Sequence, residues 1–301
     1  MNPQAGGGRH SADDLRRRFA PVAAIEECAP DRLAEAVGRA VEGGAAFVGV
    51  AGGDGTIRGG VEALRGHQVP LVPVPAGTRN HFARQLGISD FDAAKVAMSD
   101  RSGRVEAVDV GEVNGRSFIN NAALGLYPEL VDRRERFQKR GLPKGLAQQI
   151  ANLIVLARGH RLTVRMDGVA YRTWLVFVGN GHYGDNLFDL TSRDTLNQHV
   201  LDVRLLRGDR RLARLRVLGA ALFGRLTCSP LLVRELCSEV TFDLDGGQVE
   251  VALDGEVTTL ASPLHYCSRA GELRVLIPGD EQSPKPHVLR LSGLNGDHFT
   301  G

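Results

Sequence analysis

Twice within its first 85 residues the chain runs apolar, breaks into glycine and restarts as a helical pattern. The first instance is Ala45-Ala46-Phe47-Val48-Gly49-Val50-Ala51, followed by Gly52-Gly53-Asp54-Gly55-Thr56-Ile57. The second is Val69 to Val74, followed by Pro75-Ala76-Gly77-Thr78-Arg79-Asn80-His81-Phe82-Ala83-Arg84. Strands that alternate with helices imply a mainly parallel sheet covered on both faces. Glycine lets the backbone fold back on itself and keeps Cβ atoms away from an approaching phosphate. A helix N-terminus adds amide donors and a positive dipole end. Thr56 is expected to cap the first helix and Thr78 the second, with Arg79 and Asn80 in its first turn. Two such loops at the same ends of neighbouring strands would face one crevice, where open α/β sheets bind ligands. The same glycines also suit tight turns that bind nothing, and Arg84 suits a solvated helix face.

Composition narrows the classes. The 301 residues are 43% hydrophobic and 24% charged, as in an ordinary globular protein rather than a disordered one. That length suits about two domains. The 37 glycines are well above average usage and signal many turns or close approaches. A net charge of +2 argues against a dedicated nucleic-acid binder. The four cysteines, Cys28, Cys228, Cys237 and Cys267, form no CxxC pair, which points to a reduced, cytoplasmic protein. The opening MNPQAGGGRH lacks the apolar centre of a signal peptide, and no stretch approaches ~18 apolar residues.

Helix signals continue with Asp31 as a candidate cap for an apolar face of Leu33, Val37, Ala40 and Val41, stopped by Gly43-Gly44. Near Val105 the pattern turns to strands. Leu162–Met166, Asp167-Gly168 and Val169–Val178 read as a hairpin with a two-residue turn. Val240–Leu244, Val249–Leu253, Val257–Leu260 and Leu273–Ile277 are further strand signals, and 129–158 and 210–226 are helical interruptions. An α/β domain over 1–106, a mainly antiparallel β-sandwich over 107–278 and a tail over 279–301 follow from this. Asp254-Gly255 between alternating residues is itself a hairpin turn signal. Asn120 fits either a buried tether or a functional side chain. Gly179-Asn180-Gly181-His182-Tyr183-Gly184 matches G-x-G-x-x-G, but no helical pattern follows, so dinucleotide binding there is not expected. There is no Walker A GK[ST], HExxH or GxSxG.

These motifs together resemble the diacylglycerol kinase catalytic-domain family, which includes bacterial diacylglycerol-kinase-like and sphingosine-kinase-like lipid kinases. GGDGT at 52–56 and PAGTRNHFAR at 75–84 resemble its phosphate-side motifs. Phe118 to Ala122 with Gly125, Gly179-Asn180-Gly181 with Tyr183, Leu253-Asp254-Gly255-Glu256 and Asn2-Pro3-Gln4-Ala5-Gly6 resemble its other stretches. The resemblance implies an α/β nucleotide-binding domain followed by a β-sandwich. It implies ATP and Mg²⁺ as cofactors and a lipid hydroxyl as acceptor. Asn2, Gly6, Gly52, Gly53, Asp54, Gly55, Thr56, Ile57, Gly77, Thr78 and Asn80 would bind the nucleotide. Glu256, and after it Asp254, would accept the hydroxyl proton, while Asp54 would hold metal or act as base. Such chemistry relies on positioning and charge neutralisation.

The chain also departs from that pattern. It begins at the Asn-Pro loop, so the sheet is expected to be one strand short. Arg58-Gly59 follows GGDGT where Asn-Glu is common, and Glu26 stands where a threonine is common. Gln198-His199-Val200-Leu201 replaces an Asp-Gly-x-Leu turn, so a structural Mg²⁺ site is expected to be lost or altered, because a glutamine carbonyl is a poorer hard-cation ligand. Other readings stay open: a soluble NAD-kinase-like enzyme, or an inactive lipid- or nucleotide-binding homologue. Basic residues at Arg133, Arg134, Arg136, Lys139, Arg140 and Lys144, and at Arg207, Arg210, Arg211, Arg214 and Arg216, offer peripheral contact with an anionic membrane or a plain solvated face.

Overall fold

The architecture comes from a computed structural model that describes residues 12–20, 22–99, 103–125, 161–184, 193, 195–208, 213 and 231–279. Helix α1 (Ala12–Phe19) precedes α2 (Leu33–Glu42), which buries Leu33 and Val37. A short 3₁₀ turn over Pro30–Arg32 leads into α2, so Asp31 lies within that turn and makes no cap. Gly43 ends the helix as expected. Strand β1 (Val48–Gly52), helix α3 (Asp54–Leu64), strand β2 (Leu71–Pro75) and helices α4 (His81–Gln85) and α5 (Phe91–Ala97) complete this half. β1 and β2 pair in parallel from Val48↔Leu71 to Gly52↔Pro75. Ile57, Val61 and Leu64 bury one stripe of α3, spaced at helical period.

The second half is strands: β3 (Gly103–Val113), β4 (Arg116–Phe118), β5 (Asn121–Gly125), β6 (Leu162–Met166), β7 (Val169–Asn180), β8 (Leu201–Arg207), β9 (Leu232–Cys237), β10 (Glu239–Leu244), β11 (Gln248–Leu253), β12 (Glu256–Ala261) and β13 (Leu264–Pro278). All their mutual pairings are antiparallel. The β6–β7 hairpin turns at Asp167 (φ 48°) and Gly168 (φ 86°), the two left-handed residues that its sequence predicts. Residues from β3 through β13 enclose one core, including Phe118, Val178, Leu205, Phe242 and Tyr266, so the strands curl around it.

The two halves share their hydrogen bonding. β13 pairs with β3 over nearly its whole length and touches β2 in parallel at Val275↔Leu71. Its Leu273, Val275 and Ile277 pack in the core of the α/β half, while Leu264 and Tyr266 pack in the other. A bulge between Arg269 and Leu273 sits at the crossing. A division near 106 therefore cuts through β3, not through a linker. The helical readings at 129–158 and, apart from Ala213, at 210–226, the first basic cluster and the tail beyond 279 lie outside the described residues. Among the described residues no helix is long and apolar enough to cross a membrane.

Candidate active site

The site begins where β1 and β2 end. Gly52 O accepts hydrogen bonds from Ala76 N and Gly77 N, both at 3.1 Å, so the two glycine loops are laced together. A Cβ on Gly77 would collide with Gly53 Cα and lie 3.0 Å from Gly53 N. Only glycine permits this approach. Asp54, first residue of α3, accepts bonds from His81 N and Phe82 N, each at 3.1 Å. It thus caps α4 from the neighbouring loop, which commits both of its carboxylate oxygens.

The helix starts differ from the expected caps. Gly53 occupies the N-cap of α3, and Thr56 lies in the first turn, where its side chain covers Gly52. Asn80, not Thr78, is the N-cap of α4 and is left-handed at φ 51°. Its side chain accepts from Gly77 N at 3.0 Å and donates to Gly77 O at 2.9 Å, closing the loop. Thr78 and Arg79 are exposed ahead of the helix, and Arg84 is exposed as expected. Ile57 is fully buried and donates its N–H to Gly53 O at 3.0 Å, so it offers a ligand neither side chain nor amide. Burial depresses the His81 imidazole; Asp54 opposes this, and Arg79, Arg84 and Arg193 reinforce it.

The antiparallel half reaches this place through the β11–β12 hairpin. Asp254 (φ 52°) and Gly255 (φ 91°) form its turn. The turn reading and the site reading of this motif therefore hold together. The Asp254 carboxylate accepts from Ile119 N at 2.9 Å, Asn120 N at 2.7 Å and Asn121 N at 3.1 Å. Burial nevertheless pushes its pKa up to about 6, against those three amides and Arg58, which favour the anion. Asp254 thus clamps the start of β5 and is poorly placed to take a proton from substrate. Glu256 is different. Its side chain is 60% exposed, pairs with Arg58 Nη2 at 2.5 Å, and lies over Gly55 so closely that a Cβ there would stand 2.8 Å from its Cδ. The structure therefore brings Gly52, Gly53, Asp54, Gly55, Gly77, Asn80 and Glu256 together, while Asn2 and Gly6 lie outside the described residues.

Residues that the motifs left unassigned complete the surroundings. Arg193 donates to Ile119 O at 2.8 Å, Asn180 O at 2.5 Å and Asn120 Oδ1 at 3.2 Å, and to Gln85 Oε1 through Nε at 3.0 Å. It joins α4 to the 119–121 and 179–183 stretches. Asn120 is buried, and its carbonyl accepts from Tyr183 Oη at 2.8 Å and Asn180 N at 2.8 Å, so it acts as a tether. No local pattern flags Arg193, because its partners come from three separate segments.

The Gln198-His199 turn does not suit a protein-held Mg²⁺. His199 N donates to Asp109 Oδ2 at 2.6 Å and Gly271 N to Asp109 Oδ1 at 2.9 Å, while Gln198 Oε1 accepts from His182 N at 3.1 Å. Backbone amides take the oxygens that a cation would need. Among the described residues no cluster of three His, Cys, Asp or Glu could hold a metal. An apolar cavity of about 540 Å³ between α1, α2 and β1 includes none of the residues gathered above.

Comparison with known proteins gives the chain its family. Residues 1–113 match the diacylglycerol kinase catalytic domain. The chain is 30% identical over 236 residues to a Pseudomonas fluorescens protein named "Probable lipid kinase YegS-like", covering 76% of each chain. It is 28% identical over 247 residues to a diacylglycerol kinase of Bacillus subtilis, covering 77% of each. A crystal structure of a diacylglycerol kinase from Bacillus anthracis superposes with a TM-score of 0.60 at 19% identity, over 93% of this chain and 95% of that one. The structural likeness shows the fold, and the 30%-identical relative together with the catalytic-domain match shows that the chain belongs to the diacylglycerol kinase family of lipid kinases.

Proposed function

We propose that this protein transfers the γ-phosphoryl group of ATP to the hydroxyl of a lipid alcohol, diacylglycerol-like or long-chain-base-like. One observation carries the reading: an exposed carboxylate from the antiparallel half, Glu256, leans over the first turn of α3 beside two interlocked loops of bare main chain. Gly53 alone of the loop glycines has room where a Cβ would stand, at ordinary contact from Gly77 Cα, and the first amides of α3 lack intrahelical partners, so these donors are what the loops offer a phosphate. Mg²⁺ on the nucleotide would neutralise phosphate charge, with Glu256 the exposed carboxylate left to approach it, since His81 N and Phe82 N hold both Asp54 oxygens. Glu256 accepts the hydroxyl proton as the lipid oxygen attacks. Asp54 fixes the second loop against the first, and Asp254 fixes the hairpin that delivers Glu256. The reading places the reaction at a cytoplasmic membrane surface, with the basic stretches toward anionic lipid.

The test is incubation with labelled ATP, Mg²⁺ and a mixed lipid extract, with mass spectrometry of phosphorylated products and NAD as a parallel acceptor. A phosphorylated lipid that disappears in Glu256→Gln supports the reading. Phosphorylation of NAD alone, or of neither acceptor, refutes it.

A further inference from the structure

Helix α3 turns one polar face to the antiparallel half. Arg58, Glu62 and Arg65 stand at i, i+4 and i+7, which is one side of a helix. Each meets that half. Arg58 Nη2 pairs with Glu256 at 2.5 Å, Glu62 Oε2 accepts from Ser117 N at 3.0 Å, and Arg65 pairs with Glu112 of β3 and, at 3.5 Å, with Glu272 of β13. The adjoining stripe, about 100° around the helix, is Ile57, Val61 and Leu64 and is core. The helix is therefore held on two neighbouring faces.

The three contacts differ in what they secure. Ser117 and Glu112 belong to strands already fixed by pairing. Glu256 is mostly exposed and flexible, so nothing in its own strand fixes the position of its carboxylate. Arg58 is 19% exposed, far less than its partner, and its Nε is buried with no hydrogen-bond partner among the described residues. Such confinement holds a guanidinium in one place, at the cost of an unsatisfied donor. Gly55, three residues earlier on the same face, has no side chain to push the carboxylate away.

We propose that Arg58 is a positioning residue that fixes the Glu256 carboxylate over the first turn of α3 and so sets its distance to the reacting lipid hydroxyl. The inference rests on the reading of Glu256 as proton acceptor.

The experiment compares Arg58→Ala, Arg58→Lys, Arg65→Ala and Glu256→Gln in the full chain, with ATP and the lipid acceptor that the extract assay identifies, each variant checked by its thermal midpoint. Arg58→Ala should lower kcat by about 10- to 100-fold, the scale of a misplacement near 1 Å, with the KM for ATP within about 3-fold. Arg58→Lys keeps the cation and should recover part of kcat. Arg65→Ala, a purely structural contact, should lower the midpoint and leave kcat within about 3-fold. Glu256→Gln should lose more activity than any of them. An Arg58→Ala enzyme with wild-type kcat beside an inactive Glu256→Gln overturns the positioning role alone, as does an Arg58→Lys no better than Arg58→Ala. A fully active Glu256→Gln overturns the underlying reading instead.

Discussion

Gly55→Ala separates the stability of the site from its chemistry. Gly55 is the second residue of α3, with ordinary helical backbone, so alanine fits the main chain. In a helix interior alanine is favoured over glycine by about 1 kcal/mol, and less at a first turn. The added Cβ would stand 2.8 Å from Glu256 Cδ and nearer still to its Oε1. Ordinary contact needs about 3.5 Å, so the carboxylate must retreat by roughly 1 Å, and being exposed it can. The ion pair with Arg58 is then weakened, at about 0–1 kcal/mol for so open a pair. These effects nearly cancel, and the unfolding free energy from urea titration should move by less than about 1 kcal/mol. Activity should fall much further. A displacement near 1 Å can cost about 10²-fold, or about 2.7 kcal/mol in the barrier. In an Arg58→Ala background, where Glu256 is already released, the same substitution should cost less than about 3-fold more. A folded Gly55→Ala enzyme with wild-type kcat would refute the reasoning. A raised KM for ATP with unchanged kcat would show that the methyl group crowds the phosphates rather than the acid.

Gly77→Ala should behave in the opposite way, because its Cβ meets the backbone of Gly53 and not a flexible tip; urea unfolding should show a loss of about 1–3 kcal/mol, and wild-type stability would contradict the loop contact. Asp254→Ala strands three amides, and at about 1–3 kcal/mol for each buried donor left unpaired the loss should be several kcal/mol, measured by the same titration. The pH dependence of Asp254 has an unusual sign. Its folded value of about 6 lies above its ordinary value of 3.8, so the stability gained by protonation is complete below about pH 4 and is lost as pH rises through about 6. Asp254→Asn should flatten that part of the stability profile. Asp202 has the usual sign: burial raises its pKa, but Arg204 and Arg234 outweigh this and hold it below the ordinary carboxylate value. Its stabilisation is present above about pH 4 and fades below, and Asp202→Ala should cost about 3–5 kcal/mol as two guanidinium groups lose their carboxylate.

Local chemistry wrote much of this molecule into its sequence. The glycines after β1 and β2, the helical stripe of α2 and the Asp-Gly turns at 167 and 254 are readable because a few adjacent residues decide backbone conformation there. The helix caps run against this local chemistry. Thr56 and Thr78 are good capping residues, but Gly53 and Asn80 occupy the caps because the loops must first touch each other. Asp254 could be read as a turn residue or as an acid. Its three amide partners, more than 130 residues away, make it a clamp.

The sequence alone determined that two glycine loops follow two apolar strands, and that an Asp-Gly-Glu turn lies in a β-rich half. Only the tertiary structure decided which acid faces those loops. Glu256 meets Arg58 across 198 positions of chain, and Arg193 joins three segments that no spacing rule connects. Side-chain periodicity records only what lies within a turn or a strand. Contacts between distant segments depend on how β13 and β3 carry one core into the other, and that path is set by packing the whole chain at once.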